Sequence, residues 1–215
     1  MKRSNLANPP PTVISLLARA PELGTVKSRL ARHIGQAQAL RTHIELLQHN
    51  LTVAIGTGLP VELVVAGNPQ HPWLQRAVAQ LELPVLVQSE GDIGERMFAT
   101  ARRVTERDQS SLIIGSDCGV MSVAYLQAAA DTLAAGAPIV FGPAEDGGYV
   151  LVGQRRALPA AFAGVSWGSE QVMQQTRAAL LGAGIEWKEL ATLWDVDTVA
   201  DLRRLRQSTP RSISA

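Results

Sequence analysis

Short runs of apolar residues alternate along the chain with longer amphipathic stretches. This alternation predicts strands that are each followed by a helix, as in a mostly parallel sheet. Several runs are apolar at nearly every position, which indicates strands covered by helices on both faces. The predicted strands are residues 13–18, 61–66, 85–88, 112–115, 139–142 and 149–153, with a late strand over 185–190.

The stretches between the strands carry apolar residues at three- and four-residue spacing, the period of one helix face. In the longest stretch these positions are Ala37, Leu40, Ile44, Leu47, Leu51 and Ala54. Helices are predicted over 36–55, from Ile93, Val123 and Val172 onward, and over 199–205. The pattern as a whole predicts an α/β fold with helices on both sides of a mostly parallel sheet.

The chain has 215 residues, of which 46% are hydrophobic and 18% charged, a composition typical of a folded globular protein. At roughly 150 residues per domain, this length predicts a single domain over 12–207, with tails at 1–11 and 208–215. No window approaches the roughly 20 apolar residues that cross a bilayer. The prolines at 9–11 would break the helix of a secretory signal. We therefore expect no membrane partner.

Cys118 is the single cysteine, which excludes an intramolecular disulfide. With four scattered histidines it also excludes a zinc site of the usual Cys and His type. We therefore expect a cytoplasmic protein. A homodimer is one oligomeric state compatible with this sequence.

The formal net charge is +1, too balanced for the basic field that nucleic-acid binding needs. Neither a P-loop nor a G-x-G-x-x-G dinucleotide motif occurs. The segment after the first predicted strand nevertheless carries Arg19, Lys27 and Arg29 around Gly24, whose missing side chain lets backbone amides approach an anion. This segment suits a di- or triphosphate. Alternatively, Lys27 and Arg29 lie on the solvated face of the next helix.

Acidic residues follow two later predicted strands. Asp117 comes just after the apolar run 112–115, where a carboxylate could hold a hard divalent cation. Asp195 and Asp197 are two residues apart, and therefore on one face if the segment is extended. The alternative is that Asp117 caps the next helix, and that Asp197 or Thr198 caps the last one.

The segment 144–149 joins two apolar runs through Asp-Gly, a strong signal of a hairpin. Turn chemistry accounts for Gly147 and Gly148 but leaves Glu145 and Asp146 as candidates to face a substrate. Trp167 follows a further strand or turn, where its ring could stack on a sugar or complete the core.

Six segments together resemble a bacterial family, the rSAM/selenodomain-associated transferases of arsenosugar-biosynthesis type. These segments are RAPELGTVKSRL (19–30), QSEGDIGERM (88–97), GSDC (115–118), GPAEDGGY (142–149), FAGVSW (162–167) and DVDT (195–198). Residues 27–30 are also similar to the first loop of 2-phospholactate guanylyltransferases. Gly119 stands where the family frequently has Pro, which we expect to loosen the loop beside Asp117.

The resemblance implies the GT-A fold of nucleotide-diphospho-sugar transferases, a three-layer α/β/α sandwich. It implies that Asp117 and Asp197 hold Mg²⁺ or Mn²⁺, and that Asp146 or Glu145, with Lys27, serves catalysis. The nucleotide and its phosphates are expected at Arg19, Gly24, Lys27, Arg29, Gln88, Asp92 and Arg96. The acceptor is expected at Gly147, Gly148, Tyr149 and Trp167.

The sequence thus predicts a metal-dependent transferase that moves a glycosyl group from a nucleotide-activated sugar to a small acceptor. The alternative is a nucleotidyltransferase that joins an NTP to a phosphorylated small acid or sugar and releases pyrophosphate. A third alternative, from a different class, is a nucleotide-binding protein without catalysis.

Overall fold

The computed structural model describes residues 10–208. Within this range the chain forms seven strands and seven α-helices. The strands are β1 (Thr12–Arg19), β2 (Val61–Ala66), β3 (Val85–Val87), β4 (Ser110–Gly115), β5 (Ile139–Pro143), β6 (Tyr149–Gln154) and β7 (Lys188–Glu189). The helices are α1 (Ser28–Ile34), α2 (Gln36–Gly56), α3 (Pro72–Leu81), α4 (Ile93–Thr105), α5 (Val123–Ala134), α6 (Val172–Gly182) and α7 (Val199–Ser208). The predicted tails lie outside the described residues, apart from residues 10, 11 and 208.

The strands form one sheet in the order β3-β2-β1-β4-β6-β5-β7. Only β6 runs against the others, because it returns from β5 through the predicted hairpin. The other described neighbours pair in parallel. The mostly parallel sheet predicted from the apolar runs is therefore confirmed.

Helices cover both faces of the sheet. One cluster of buried residues joins alternate β1 residues such as Ile14 and Leu16 to α2, α3 and α5. A second joins Leu17, from the opposite face of β1, to α4 and α6. Because side chains alternate along a strand, β1 contributes to both clusters, and the three-layer arrangement is confirmed.

A smaller third cluster holds α1 and α7 together. It contains Leu30, Leu46, Trp194, Val196 and Leu202. This cluster brings the end of the chain back to the first loop, so residues 195–198 meet residue 27. No helix within residues 10–208 is long and apolar enough to cross a membrane.

The predicted helices at 36–55, 93, 123, 172 and 199 are confirmed, with bounds that differ by a few residues. The helix α3 was not predicted, whereas α1 is the helix that the alternative for Lys27 and Arg29 assumed without giving its bounds. The predicted strand at 185–190 is shorter, because only Lys188 and Glu189 pair with β5. β7 lies at the edge of the sheet, and both of its residues are exposed.

Candidate functional site

A cavity of about 1010 Å³ opens at the carboxyl ends of β1 and β4. Parallel strands end at the same edge of a sheet, so Arg19, Gln88 and Asp117, which end or follow three different strands, meet there. The start of α4, the hairpin between β5 and β6, and residues 167–172 complete the wall. The topology therefore gathers the polar loops that the sequence analysis singled out.

Lys27 lies at the centre of the site, and its side chain is only 3% exposed. Its Nζ donates hydrogen bonds to the carbonyl oxygen of Val196 at 2.7 Å and to Asp197 Oδ1 at 3.1 Å. It also lies 2.9 Å from Asp117 Oδ1. The backbone of Lys27 adopts the left-handed conformation (φ 49°, ψ 44°) just before α1, which is uncommon for a residue other than glycine.

Burial and charge act in opposite directions on the Lys27 ammonium. Burial by itself lowers the pKa of Lys27, but the carboxylates of Asp117 and Asp197 outweigh it and raise the pKa above its ordinary value. Lys27 is therefore a buried cation that neutralises two acids. It does not lie on the solvated helix face, whereas Arg29, whose side chain is 72% exposed, does.

Asp117 is held by contacts made through the backbone of its loop. Asn50 in α2 donates to the carbonyl oxygens of Ser116 and Cys118 at 3.2 and 3.1 Å. The amide of Val196 donates to the carbonyl oxygen of Asp117 at 3.0 Å. The Asp117 carboxylate is 42% exposed and lines the cavity.

The helix-capping alternative is confirmed for Thr198 at the start of α7, but the structure does not show it for Asp117 or Asp197. Ser122 caps α5 by accepting from the amide of Tyr125. Thr198 accepts from the amide of Asp201 at the start of α7, and Asp201 accepts from the amide of Thr198. Asp117 and Asp197 are thus left to face Lys27 and the cavity.

Asp195 lies beside this group. Burial and the negative charges of Asp117, Asp146 and Asp197 together raise the pKa of Asp195 to about 7, although the positive charge of Lys27 acts to lower it. Asp195 does not line the cavity. Its charge is therefore coupled to the site from behind the cavity wall.

The other predicted phosphate-binding residues of the first loop differ in whether they line the cavity. Arg19 and Arg29 line the cavity, and Arg29 Nη1 is 3.8 Å from Asp197 Oδ2. Gly24 has φ 83°, so its backbone takes a conformation that favours glycine. Gly24 itself does not line the cavity.

The three residues expected to face the nucleotide all line the cavity, and each also stabilises a loop. Gln88 Nε2 donates to the carbonyl oxygens of Ala18 and Val64. Asp92 caps α4 in a reciprocal pair with Glu95. Arg96 Nε donates to the carbonyl oxygen of Gly91 at 2.9 Å.

The hairpin separates Glu145 from Asp146. Asp146 lines the cavity, and its Oδ1 accepts from the amide of Gly148 at 2.9 Å. Glu145 instead pairs with Arg204 in α7 at 2.6 and 2.9 Å and does not line the cavity. The hydrogen bonds from Arg204 hold the pKa of Glu145 below its ordinary value. The structure thus brings Asp146 to the site and directs Glu145 away from it.

An aromatic wall lies next to the hairpin. Tyr149 and Trp167 both line the cavity and meet edge to face, with ring centroids 6.2 Å apart. Trp167 packs over the first turn of α4, because a Cβ atom at Gly94 would come within 2.4 Å of its ring. A Cβ atom at Gly147, where φ is 86°, would come within 2.0 Å of the Glu170 carbonyl oxygen. Trp167 thus both packs in the structure and faces the cavity.

Sequence reasoning missed two residues of α2. His43 is buried and lines the cavity, with Nε2 at 3.1 Å from the Arg19 carbonyl oxygen. Asn50 is fully buried under the Asp117 loop. The available signal was the occurrence of polar residues at buried positions of an otherwise apolar helix face. Gly119 is also less loose than expected, because it packs against Leu46 and Leu205.

Asp117 and Asp197 suit a divalent cation by their donor atoms. No cluster of three or more His, Cys, Asp or Glu side chains that could hold a metal ion occurs among residues 10–208. Mg²⁺, however, commonly takes only one or two protein carboxylates and completes its coordination with water and substrate phosphates. Asp117 and Asp197, two partly exposed carboxylates that both contact Lys27 at the wall of this cavity, are therefore a donor set of the kind that Mg²⁺ accepts.

One bacterial family matches the chain over residues 36–169 and is described as "Uncharacterized protein conserved in bacteria (DUF2064)". No curated protein matches the chain. Among solved structures, the chain is similar to a provisionally assigned nucleotide-diphospho-sugar transferase from Desulfovibrio desulfuricans G20. The two are 28% identical with a TM-score of 0.82, over 94% of this chain and 89% of that chain.

More distant structures share the fold alone. An inositol-1-phosphate CTP transferase from T. maritima is 10% identical, with a TM-score of 0.60 over 96% of this chain and 99% of that chain. A 4-diphosphocytidyl-2C-methyl-D-erythritol synthase from Anaerococcus prevotii DSM 20548 is 8% identical, with a TM-score of 0.61 over 92% and 97%. The fold of nucleotide-diphospho-sugar transferases, implied by the motif resemblance, is therefore confirmed.

Proposed function

Because this chain belongs to the bacterial DUF2064 family and has the nucleotide-diphospho-sugar transferase fold, we propose that it is a metal-dependent glycosyltransferase. Its donor is a nucleotide-diphospho-sugar, and its acceptor is a small molecule with a hydroxyl group. The resemblance to rSAM-associated transferases supports this choice of subtype.

One observation carries the proposal. A single cavity is lined by the acid pair Asp117 and Asp197 and also by Asp146 and Trp167. The acid pair suits a diphosphate with a divalent cation, and an indole ring suits the apolar face of a sugar. Donor and acceptor can therefore be held side by side, which is the main requirement of a group transfer.

The residues that line the cavity can be given roles in the glycosyl transfer. The acceptor hydroxyl oxygen forms a bond to the anomeric carbon of the sugar, and the bond from that carbon to the diphosphate oxygen breaks. Asp146 accepts the hydroxyl proton, while Arg19 and Arg29 hold the departing nucleoside diphosphate. Asp117 and Asp197 would hold a divalent cation, which would neutralise the charge that develops on the diphosphate.

Replacement of Asp117 tests the acid pair. We expect Asp117→Asn to lower metal-dependent turnover by about 100-fold or more while the protein stays folded, because charge stabilisation in the transition state is lost. Circular dichroism checks folding, and Asp131→Asn, an exposed acid of α5, is the matched control. Unchanged turnover in Asp117→Asn would refute the metal-binding role.

Nucleotidyl transfer is the second candidate. Here an acceptor phosphate oxygen bonds to the α-phosphorus of an NTP, and pyrophosphate leaves. Residues 27–30, which resemble guanylyltransferases, favour this reaction, and so does the meeting of two acids from separate loops at Lys27.

Ligand-induced stabilisation distinguishes the two reactions. A ligand at 100 times its Kd stabilises the folded state by roughly 2.7 kcal/mol. We expect nucleotide-diphospho-sugars with Mg²⁺ to raise the melting temperature more than NTPs do, and turnover to release nucleoside diphosphate. A preference for NTPs together with pyrophosphate release would establish the second candidate instead. Metal binding without turnover on any donor would favour a non-catalytic protein.

A further inference from the structure

The Lys27 ammonium uses all of its hydrogen-bonding capacity inside the protein. An ammonium group has three donors and no acceptor. In the structure it contacts three oxygen atoms, those of Val196, Asp117 and Asp197, at 2.7, 2.9 and 3.1 Å. Lys27 in this arrangement has no donor left for a phosphate, although its place in the first loop suggests that role.

The carboxylates of Asp117 and Asp197 both need a positive charge between them. Asp117 lies in the loop after β4 and Asp197 in the segment before α7, and among the described residues only Lys27 lies between them as a buried cation. Without a positive charge at this point, two carboxylates so close together would repel each other. Lys27 therefore keeps the pair together, and it does so through the oxygen atoms that face a common point.

We propose that Lys27 and a divalent cation compete for the Asp117–Asp197 pair, so that the Lys27 ammonium occupies the cation site while no cation is bound. The inference rests on the metal-binding part of the proposed function. When a divalent cation takes the carboxylates, the Lys27 ammonium is released into the same cavity, where its three donors become available to a diphosphate. Lys27 thus pairs with the two carboxylates before the cation binds and with the diphosphate afterwards.

This exchange has a thermodynamic consequence. A phosphate ligand stabilises the released ammonium, so the nucleotide favours cation binding, and the cation favours nucleotide binding by the same factor. If Lys27 only bound phosphate, the result would differ. Its loss would then weaken nucleotide binding without changing the affinity of the protein for a cation alone.

Mn²⁺ binding in the absence of nucleotide separates these alternatives. The full-length protein is titrated with Mn²⁺ and the free ion is measured by electron paramagnetic resonance. We expect Lys27→Met to bind Mn²⁺ roughly tenfold or more tightly than wild type, a typical coupling between sites. Lys27→Arg keeps the charge and should stay near wild type. Lys188→Met, an exposed lysine of β7, is the matched control.

If Lys27→Met binds Mn²⁺ as tightly as wild type or more weakly, the proposed competition is overturned, although the metal-binding role of the acid pair still holds. Absence of Mn²⁺ binding in every variant overturns the metal-binding part of the proposed function as well. A structural role alone would weaken Mn²⁺ binding on removal of Lys27, so a gain in affinity cannot come from general loosening of the site.

A measurement on wild type covers the case in which Lys27→Met does not fold. The sequence has three lysines, Lys2, Lys27 and Lys188, so the ammonium signals in a ¹⁵N spectrum are few. We expect the Lys27 signal to shift or vanish as Mg²⁺ is added, while the Lys188 signal stays unchanged. A Lys27 signal that stays in place while Mg²⁺ perturbs the side-chain carbons of Asp117 and Asp197 overturns the proposal.

Discussion

Asn50 shows how a single buried amide can set the position of a site residue that it does not touch. Its Nδ2 atom lies 2.9 Å from the Leu46 carbonyl oxygen in its own helix and bridges to the Asp117 loop at Ser116 and Cys118. Its side chain therefore ties the backbone on both sides of Asp117 to α2. The orientation of the Asp117 carboxylate depends on this contact.

Asn50→Ala should damage both stability and turnover. Loss of a buried hydrogen-bonding group costs about 1–3 kcal/mol of unfolding free energy, and displacement of a residue that supports a metal ligand costs roughly 10- to 100-fold in activity. Urea unfolding and turnover per folded molecule measure the two effects. Gln48→Ala, on the exposed face of α2, is the control. Normal turnover in folded Asn50→Ala would show that the loop holds Asp117 by itself.

Asp146 and Glu145 are neighbours with different expected contributions. Asp146→Asn should abolish most turnover and keep the fold, because the cavity loses its acceptor-side carboxylate. Glu145→Gln should leave turnover nearly unchanged, since Glu145 forms an exposed ion pair with Arg204, and such pairs contribute little to stability. Parallel kinetic assays check both. The reverse ranking would assign the acceptor to Glu145.

At the scale of elements, Gly119 allows α2 and α7 to approach the loop after β4. A Cβ atom there would lie 2.8 Å from a Leu205 methyl carbon and 3.1 Å from a Leu46 methyl carbon. Close contact at this point joins the third hydrophobic cluster to the Asp117 loop. The absence of a side chain thus serves packing between elements.

Gly119→Ala should lower the unfolding free energy by roughly 1–3 kcal/mol, the usual cost of overpacking. Gly182→Ala is the control, because a Cβ atom at the end of α6 meets nothing within 4 Å, and this change should be neutral or slightly stabilising. Chemical denaturation of both variants gives the comparison. Equal stability in the two variants would show that Leu46 and Leu205 move aside at no cost.

At the scale of the whole molecule, His43 contributes to the pH dependence of folding. Burial lowers the pKa of His43 below 6.5 in the folded protein, despite its hydrogen bond with the Arg19 carbonyl oxygen. Between that lowered pKa and 6.5 the unfolded chain binds more protons than the folded one. The stability that neutral His43 provides is therefore fully present above pH 6.5 and is lost as the pH falls below it.

His43→Gln should reduce this loss of stability on acidification. Asp195 acts in the opposite direction, because burial raises its pKa to about 7, so protonation favours the folded state as pH falls from 7 toward 3.8. The informative quantity is therefore the difference in unfolding free energy between wild type and His43→Gln from pH 7.5 to 5.5. His33→Gln, an exposed histidine, should keep the wild-type profile. A constant difference across this range would exclude His43 as a contributor.

The positions of the strands and of most helices could be predicted from the local pattern of apolar residues. Runs such as 61–66 and 112–115 bury their side chains as strands that are covered by helices on both faces. The short helices α1 and α3 differ in how visible they are in the sequence. In α1 only Leu30 is buried, so this helix carries no long apolar stripe. In α3 the residues Leu74, Ala77, Val78 and Leu81 do recur at helical spacing, so its pattern was available in the sequence. The contacts of α1 with the rest of the chain decide its formation.

The sequence by itself determined the layered α/β fold and the loops that carry the site, because apolar periodicity and the carboxyl ends of parallel strands leave few alternatives. Only the tertiary structure decided which polar residues meet. In the folded protein Lys27 points inward and pairs with Asp117 and Asp197, and Glu145 pairs with Arg204. His43 lines the cavity, and Asn50 lies beneath the Asp117 loop. The physical reason is that a charged side chain is long enough to pair with residues distant in sequence. Its partner is therefore chosen by the packing of helices and loops, which local pattern does not specify.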